Sequence, residues 1–384
     1  MPLTQRPYLM VALLASVAIE LHLLQQGGKP AALFPVGLGM GLALYHAAFG
    51  FTAAYRQAIV SRDISGIAAQ LIMLAVAMVL FAPVLAEGEI FGRGVSGAVA
   101  PVSVSMALGA LLFGLGMQMA GGCGSGTLFT AGGGNVRMLV VLVFFCVGGF
   151  WGSLDLHLWQ QLPSLGSVSL GNELGWSWAL LLQLAFLVAI YAVLRMLGGR
   201  RSTPLWPESG FDLNRLLLGP WPLLLSGLLL AFFNWLTLVI AGHPWSVTWA
   251  FALWTAKILT VFGWDAMSSG FWTGGFQERA LSRSVFMDVT SVMNFGIMLG
   301  ALMAASLSGK VAPGVRIPLR SLVAAVLGGL MLGYGARLGY GCNIGAFFSG
   351  TASTSLHGWV WIVCAVVGNV IGVKVRPYFR LSNR

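Results

Sequence analysis

Two short motifs in this chain set a thiol among glycines: Gly121-Gly122-Cys123-Gly124-Ser125-Gly126 and Gly341-Cys342-Asn343-Ile344-Gly345. Glycines let the backbone turn sharply and let helices approach closely, so neither stretch reads as a continuous helix. Backbone N–H groups released at such breaks, and the N-termini of the short helices that follow, attract anions. A thiol is a weak donor and a polarizable partner, which suits a soft, sulfur-bearing anion better than a hard ion. The candidate substrate-path residues are therefore Cys123, Gly122, Gly124 and Gly126 in the first motif and Cys342, Gly341, Asn343 and Gly345 in the second. Asn343 either donates a hydrogen bond to a substrate oxygen or caps the short helix after it. Arg337, about one helical turn before Cys342, attracts an anion at the outer mouth or snorkels to the interface.

Small apolar packing is the competing reading for Cys123 and Cys342. For Cys146 and Cys364, which lie inside helical runs, packing is the preferred one. The four cysteines form no CxxC pair and are not joined by clustered histidines, so no metal site and no cofactor is expected. An oxidised Cys123–Cys342 pair stays open. Ionisable groups at membrane depth are functional candidates by default. Glu20 and His22 pair with each other or with Lys257, for structure or for proton coupling; Asp265 and Asp288 fall near a solvated face.

The elements that must hold these motifs follow from composition. The chain has 384 residues, 58% hydrophobic and 8% charged, whereas a soluble domain carries about 25% charged residues. That excludes a soluble enzyme, a nucleic-acid binder and a disordered chain. The net charge of +10 is then the Lys and Arg excess of cytoplasmic loops and does not imply nucleic acid. Apolar runs occur near 8–25, 33–49, 66–86, 103–119, 138–159, 176–197, 220–241, 247–263, 285–308, 320–338 and 355–375. The first is read as a retained span, since no small-residue cleavage site follows it. Two runs are weak: 33–49 is broken by Gly37, Gly39 and Gly41, and 247–263 is short and carries Lys257. Read as re-entrant, they leave about nine transmembrane helices, with the N-terminus outside and the C-terminus cytoplasmic. The class is an all-α polytopic membrane protein with added re-entrant and short helices.

Residues 108–131 align without a gap to 327–350, pairing Gly114 with Gly333, Gly116 with Gly335, Gly122 with Gly341, Cys123 with Cys342 and Gly126 with Gly345. Extended outward, this register pairs 8–25 with 220–241 and 33–49 with 247–263. The expected organisation is a first repeat over 1–160, a linker with one transmembrane helix over 161–219, and a second, inverted repeat over 220–384. Inverted repeats are a transporter or channel architecture, with the site near the midplane between them.

The stretches GARLGYGCNIGAFFSGTASTSLHGWVW (335–361) and GGCGSGTLFTAGGGNVRM (121–138) closely resemble the YeeE/YedE family of bacterial inner-membrane sulfur transporters. The resemblance is strong over about 102–150 and 320–378 and weak in the first loop and around 160–219. It implies import of thiosulfate through an hourglass-shaped path, with Cys123 and Cys342 passing the ion along by S–H···S contacts. Family members often carry another cysteine in a pattern like F-C-x-x-A-x-R; here Phe49-Gly50-Phe51-Thr52-Ala53-Ala54-Tyr55-Arg56 puts Gly50 in its place.

The leading function is a bacterial inner-membrane transporter or channel importing a small sulfur-containing anion, with thiosulfate the first candidate. The lipid bilayer is its other partner, and no nucleic acid is expected. The alternative is a membrane thiol-transfer component that passes sulfur or selenium as a persulfide to a TusA-like cytosolic carrier, which requires a thiolate activated by a nearby base. No GxxxxGK[ST] loop is present, so ATP drive would need a partner.

Overall fold

The computed structural model describes residues 4–207, 210–311 and 316–383. Among them, ten helical segments are long and apolar enough to cross a bilayer. Sheet is confined to two small two-stranded ribbons, Glu89–Ile90 with Arg93–Gly94 and Pro101–Ser103 with Ser164–Ser167. The protein is an all-α multi-pass membrane protein.

Local sequence sets the helix ends. Ser103 caps Val104–Ala120 by accepting from the Met106 N–H, Asn135 caps Val136–Leu154 through Met138, and Asp288 caps Val289–Leu307 through Ser291. Gly121, in the left-handed region at φ 86°, ends Val104–Ala120 and starts the first thiol motif.

Four helices make the central frame. Val104–Ala120 packs on Leu319–Leu338, Val136–Leu154 on Leu319–Leu338, and Leu356–Val375 on Val104–Ala120. Glycines let these backbones touch. A Cβ at Gly335 would lie 2.7 Å from the Gly109 carbonyl oxygen, and one at Gly328 would lie 2.5 Å from the Ala120 nitrogen. Gly114 meets the Ala365 backbone and Gly333 the Phe145 carbonyl in the same way. Small-residue contact of this kind replaces the hydrophobic drive that lipid does not supply.

The expectation for 33–49 fails. Gly28–His46 is a continuous 19-residue helix, about 28 Å long at 1.5 Å per residue, and it runs from one end of the bundle to the other. At one end Lys29 Nζ donates to the Ala241 carbonyl at 3.0 Å; at the other His46 stacks on Trp221 with ring centroids 5.2 Å apart. The glycines that suggested a break are packing notches. A Cβ at Gly37 would stand 2.5 Å from the Met293 carbonyl oxygen, and Gly41 abuts the Ile297 carbonyl, both on Val289–Leu307. Thr248–Val261 has 14 residues, about 21 Å, too short for a hydrocarbon core of about 30 Å, as its sequence implied.

Contacts near the two ends of the described chain bring them toward the same end of the bundle, called the terminal face below. Gln5 Nε2 donates to the Val311 carbonyl at 2.8 Å and the Gln5 N–H to the Ser306 carbonyl at 2.9 Å. Lys310 shares a cavity with Arg137 and Ser321. Arg137 caps the carbonyls of Met119 and Ala120, and Arg376, near the C-terminus, caps that of Gln118.

Neighbours recur in pairs. Arg6–Gln26 and Gly28–His46 both pack on Val289–Leu307; Trp176–Met196 and Leu223–Ala241 both pack on Ser65–Glu87. The two thiol motifs follow Val104–Ala120 and Leu319–Leu338 respectively.

Candidate substrate site

Each thiol is the N-cap of a short helical segment. Cys123 precedes Gly124–Gly132, and Cys342 precedes the wide-turn segment Asn343–Phe348, which runs into Ser349–Ala352. Both cysteines have extended backbone, with φ −91° and −111°. Their carbonyls start the helices: Thr127 N–H donates to Cys123 O at 2.8 Å and Ala346 N–H to Cys342 O at 2.9 Å. Each sulfur then faces the free N–H groups of its own first turn. The Ile344 N–H points at Cys342 Sγ from 3.4 Å, and the N–H groups of Ser125 and Gly126 face Cys123 Sγ. Ser125 Oγ lies 3.5 Å from Cys123 Sγ. Sulfur is a weak acceptor, so these donors are under-used and stand ready for an anion.

The two motifs meet. A Cβ at Gly124 would lie 2.9 Å from Cys342 Sγ and 3.5 Å from Val247 Cγ1. Gly124 is thus the spacer between the first helix N-terminus and the second thiol. A Cβ at Gly126 would lie 3.5 Å from Cys123 Sγ, and one at Gly345 would lie 3.5 Å from Ser246 Oγ. Gly122 sits over the backbone of Gly126 and Thr127, and Gly341, at φ +147°, lies 2.7 Å from the Ala346 nitrogen measured from its own missing Cβ. These two glycines make the turns that aim the sulfurs. Asn343 is fully buried, and its Nδ2 donates to the Tyr55 hydroxyl at 3.4 Å. Its Oδ1 has no hydrogen-bond partner.

Both thiols are sealed, Cys123 at 1% and Cys342 at 0% exposure. A cavity of about 370 Å³ approaches from the face opposite the termini, lined by His243, Ser246, Trp249, Arg279, Arg283 and Asp288. It reaches Ser246, which faces Gly345. On the terminal face a cavity of about 520 Å³ is lined by Gly50, Ala53, Ala54, Gln57, Gln70 and Arg215. Gly50, at the position of the further family cysteine, therefore borders open space.

Arg337 is not brought to the thiols. Its guanidinium lies between the rings of Phe271 and Trp249, 5.0 and 5.6 Å from their centroids, and its Nε is buried without a hydrogen-bond partner. Trp249 also lines the 370 Å³ cavity, so Arg337 stands behind that mouth. Glu20, His22 and Lys257 do not pair: Lys257 Nζ donates to the carbonyls of Leu281 and Arg283, the His22 ring meets Phe286, and Glu20 Oε2 is buried without a partner. All four cysteines are free, and Cys146 and Cys364 are half-buried in the frame helices. Among the described residues no group of three or more His, Cys, Asp or Glu could hold a metal.

A family model described as Sulphur transport matches residues 46–371, a stretch that contains both thiol motifs. The chain belongs to the sulphur transport family. Its similarity to curated members is uneven along the sequence. It is 33% identical over 147 residues to "Probable transporter YedE" of Escherichia coli (strain K12), covering 37% of this chain, and 34% identical over 147 residues to the protein of the same name from Salmonella typhimurium. The chain spans 35% of the length of each of these YedE relatives. It is also 24% identical over 363 residues to "Thiosulfate transporter TsuA" of Spirochaeta thermophila, covering 87% of this chain and 95% of that protein. The resemblance read from the two motifs thus extends over most of the sulphur transport chain.

Sequence reasoning missed the groups that other elements bring to the thiols. Tyr55, from Phe51–Ser61, and the pair Ser246 and Val247, ahead of Thr248–Val261, carry no motif. The available signal was chemical: a tyrosine buried in a small-residue stretch needs a polar partner for its hydroxyl.

Proposed function

We propose that this protein carries a small sulfur-containing anion, thiosulfate first, across the bacterial inner membrane into the cytoplasm, through the gap between Cys123 and Cys342. One observation carries this reading: two short helix N-termini, each with a sulfur at its tip, come together where Gly124 packs on Cys342. Under-used N–H groups suit the oxyanion, and the polarizable sulfurs suit its soft end. The sulphur transport family and the name of the TsuA relative support the same substrate class.

The sealed thiols, with one cavity toward each face, fit a transport step in which either side opens in turn. The paired packing of helices supports an inverted repeat with a revised register. Arg6–Gln26 corresponds to Trp176–Met196, and Gly28–His46 to Leu223–Ala241, so the expected linker helix opens the second half. Charge supports a cytoplasmic terminal face. Arg56, Arg137, Arg215, Lys310, Arg316 and Arg376 lie on it, against Lys29, Arg93, Arg279 and Arg283 opposite.

The persulfide-transfer alternative, with a TusA-like carrier as acceptor, needs a base beside a thiol. Among the described residues the groups bonded to the two sulfurs are Ser125 and backbone N–H, with no His, Lys or carboxylate, and this favours conduction. The test is uptake of radiolabelled thiosulfate by Cys123→Ala and Cys342→Ala variants that reach the membrane in normal amount. Loss of uptake is expected in both; normal uptake in both refutes the thiol path.

A further inference from the structure

Tyr55 reaches the second thiol motif from a helix that borders the terminal-face cavity. Its helix, Phe51–Ser61, presents Ala53, Ala54 and Gln57 to the 520 Å³ cavity and buries Tyr55 to 6% exposure toward the thiols. The hydroxyl accepts from Asn343 Nδ2 at 3.4 Å, a long bond, and Cys123 is close enough to interact with it electrostatically. Among the described residues this is the only hydrogen bond of the Tyr55 hydroxyl, and the Asn343 amide that makes it leaves its other polar atom unpartnered. A buried polar pair joined by one long bond has hydrogen-bonding capacity to spare. The ring is fixed independently of the hydroxyl: Phe51 meets it edge-on with centroids 6.3 Å apart, and Phe49 meets Phe51 at 6.2 Å.

The neighbouring groups divide by chemistry. Cys123 and Cys342 are soft; Tyr55 O–H and Asn343 N–H are hard donors that meet each other beside them. An anion with sulfur at one end and oxygens at the other would use both sets at once. We infer that Tyr55 is a substrate-contacting specificity residue, whose hydroxyl donates to an oxygen of a sulfur oxyanion while the thiols hold its terminal sulfur. The inference rests on the proposed transport reading and narrows it to substrates carrying both atom types. In the empty protein Asn343 and Tyr55 satisfy each other weakly; in the loaded one both turn their hydrogens to the substrate oxygen.

Purified full-length protein, assayed for equilibrium binding of radiolabelled thiosulfate, tests this. Tyr55→Phe removes one oxygen and keeps the edge-on ring contact. The loss expected is about tenfold in affinity or more, the range for a hydrogen bond to a charged group, with the thermal melting point of the ligand-free protein unchanged. Phe51→Leu serves as the packing control, since it loosens the same ring without touching the hydroxyl; it should lower the melting point and leave affinity near that of the unaltered protein. Unchanged affinity in Tyr55→Phe overturns the inference. So does an equal affinity loss in Phe51→Leu, which would assign the effect to packing. Failure of the unaltered protein to bind thiosulfate would instead overturn the parent reading, and the two failures are separable in one experiment.

Discussion

Replacing Gly124 by alanine places a methyl group in the narrowest part of the proposed path. The new Cβ would lie 2.9 Å from Cys342 Sγ, 3.4 Å from Cys342 Cβ and 3.5 Å from Val247 Cγ1. The first distance is too short for a carbon–sulfur contact, so the thiol must shift. Overpacking of this kind costs about 1–3 kcal/mol. Gly124 opens a helix, and alanine there returns about 1 kcal/mol of helix propensity. The net destabilisation is about 0–2 kcal/mol, small beside the roughly 5–15 kcal/mol of a typical fold, so the variant should still assemble. Transport feels the whole clash. If the methyl must be displaced each time an ion passes, about 1–3 kcal/mol on the barrier slows uptake roughly five- to 150-fold. Gly149→Ala, away from the thiols, is the control, because its Cβ would meet Ala252 at an ordinary 3.7 Å and uptake should stay close to normal. The assay is the initial rate of labelled thiosulfate uptake in cells lacking other routes, scaled to protein in the membrane. Normal uptake by Gly124→Ala, or an equal loss in Gly149→Ala, would show that the gap beside Cys342 is not the passage.

Two further outcomes follow from the arrangement of the chain. Green fluorescent protein fused to either end should fluoresce in intact cells, because Gln5 and Arg376 share the face that carries most of the arginines; a dark N-terminal fusion beside a bright C-terminal one would restore the opposite-face reading. Gly50→Cys should be tolerated, since the nearest atoms to its new Cβ are Ala48 O at 3.8 Å and Ala53 Cβ at 3.9 Å, and a membrane-impermeant maleimide should label it in inside-out vesicles but not in intact cells; labelling from the outside only would place the 520 Å³ cavity on the wrong face.

The thiol motifs were legible because their chemistry is local. A glycine directly before each cysteine sets a turn, and the turn leaves N–H groups around the sulfur. Composition was enough for an all-α membrane fold. The crossing of Gly28–His46 was not legible, because glycine has two uses in a membrane helix. Gly37 and Gly41 read equally as a break or as a notch for another backbone, and only the partner, Met293 to Ile297 of Val289–Leu307, decides. The same choice carried with it the expected sides of the two ends and the outer pairing of the repeat. Tyr55 was hidden for a different reason. Its meeting with Asn343 spans 288 residues of chain, and nothing local to either residue announces it.

The frame helices touch backbone to backbone at Gly114, Gly328, Gly333 and Gly335. Struts in such contact have no slack to give, since drawing them apart forfeits many van der Waals contacts together and pushing them closer is sterically barred. Accommodation of cargo therefore falls to the two short helices outside that frame, Phe51–Ser61 and Thr248–Val261. On the proposed path, a rigid cage with two small doors would set a ceiling on girth, and bulkier solutes would be turned away by the cage before any chemistry at the sulfurs.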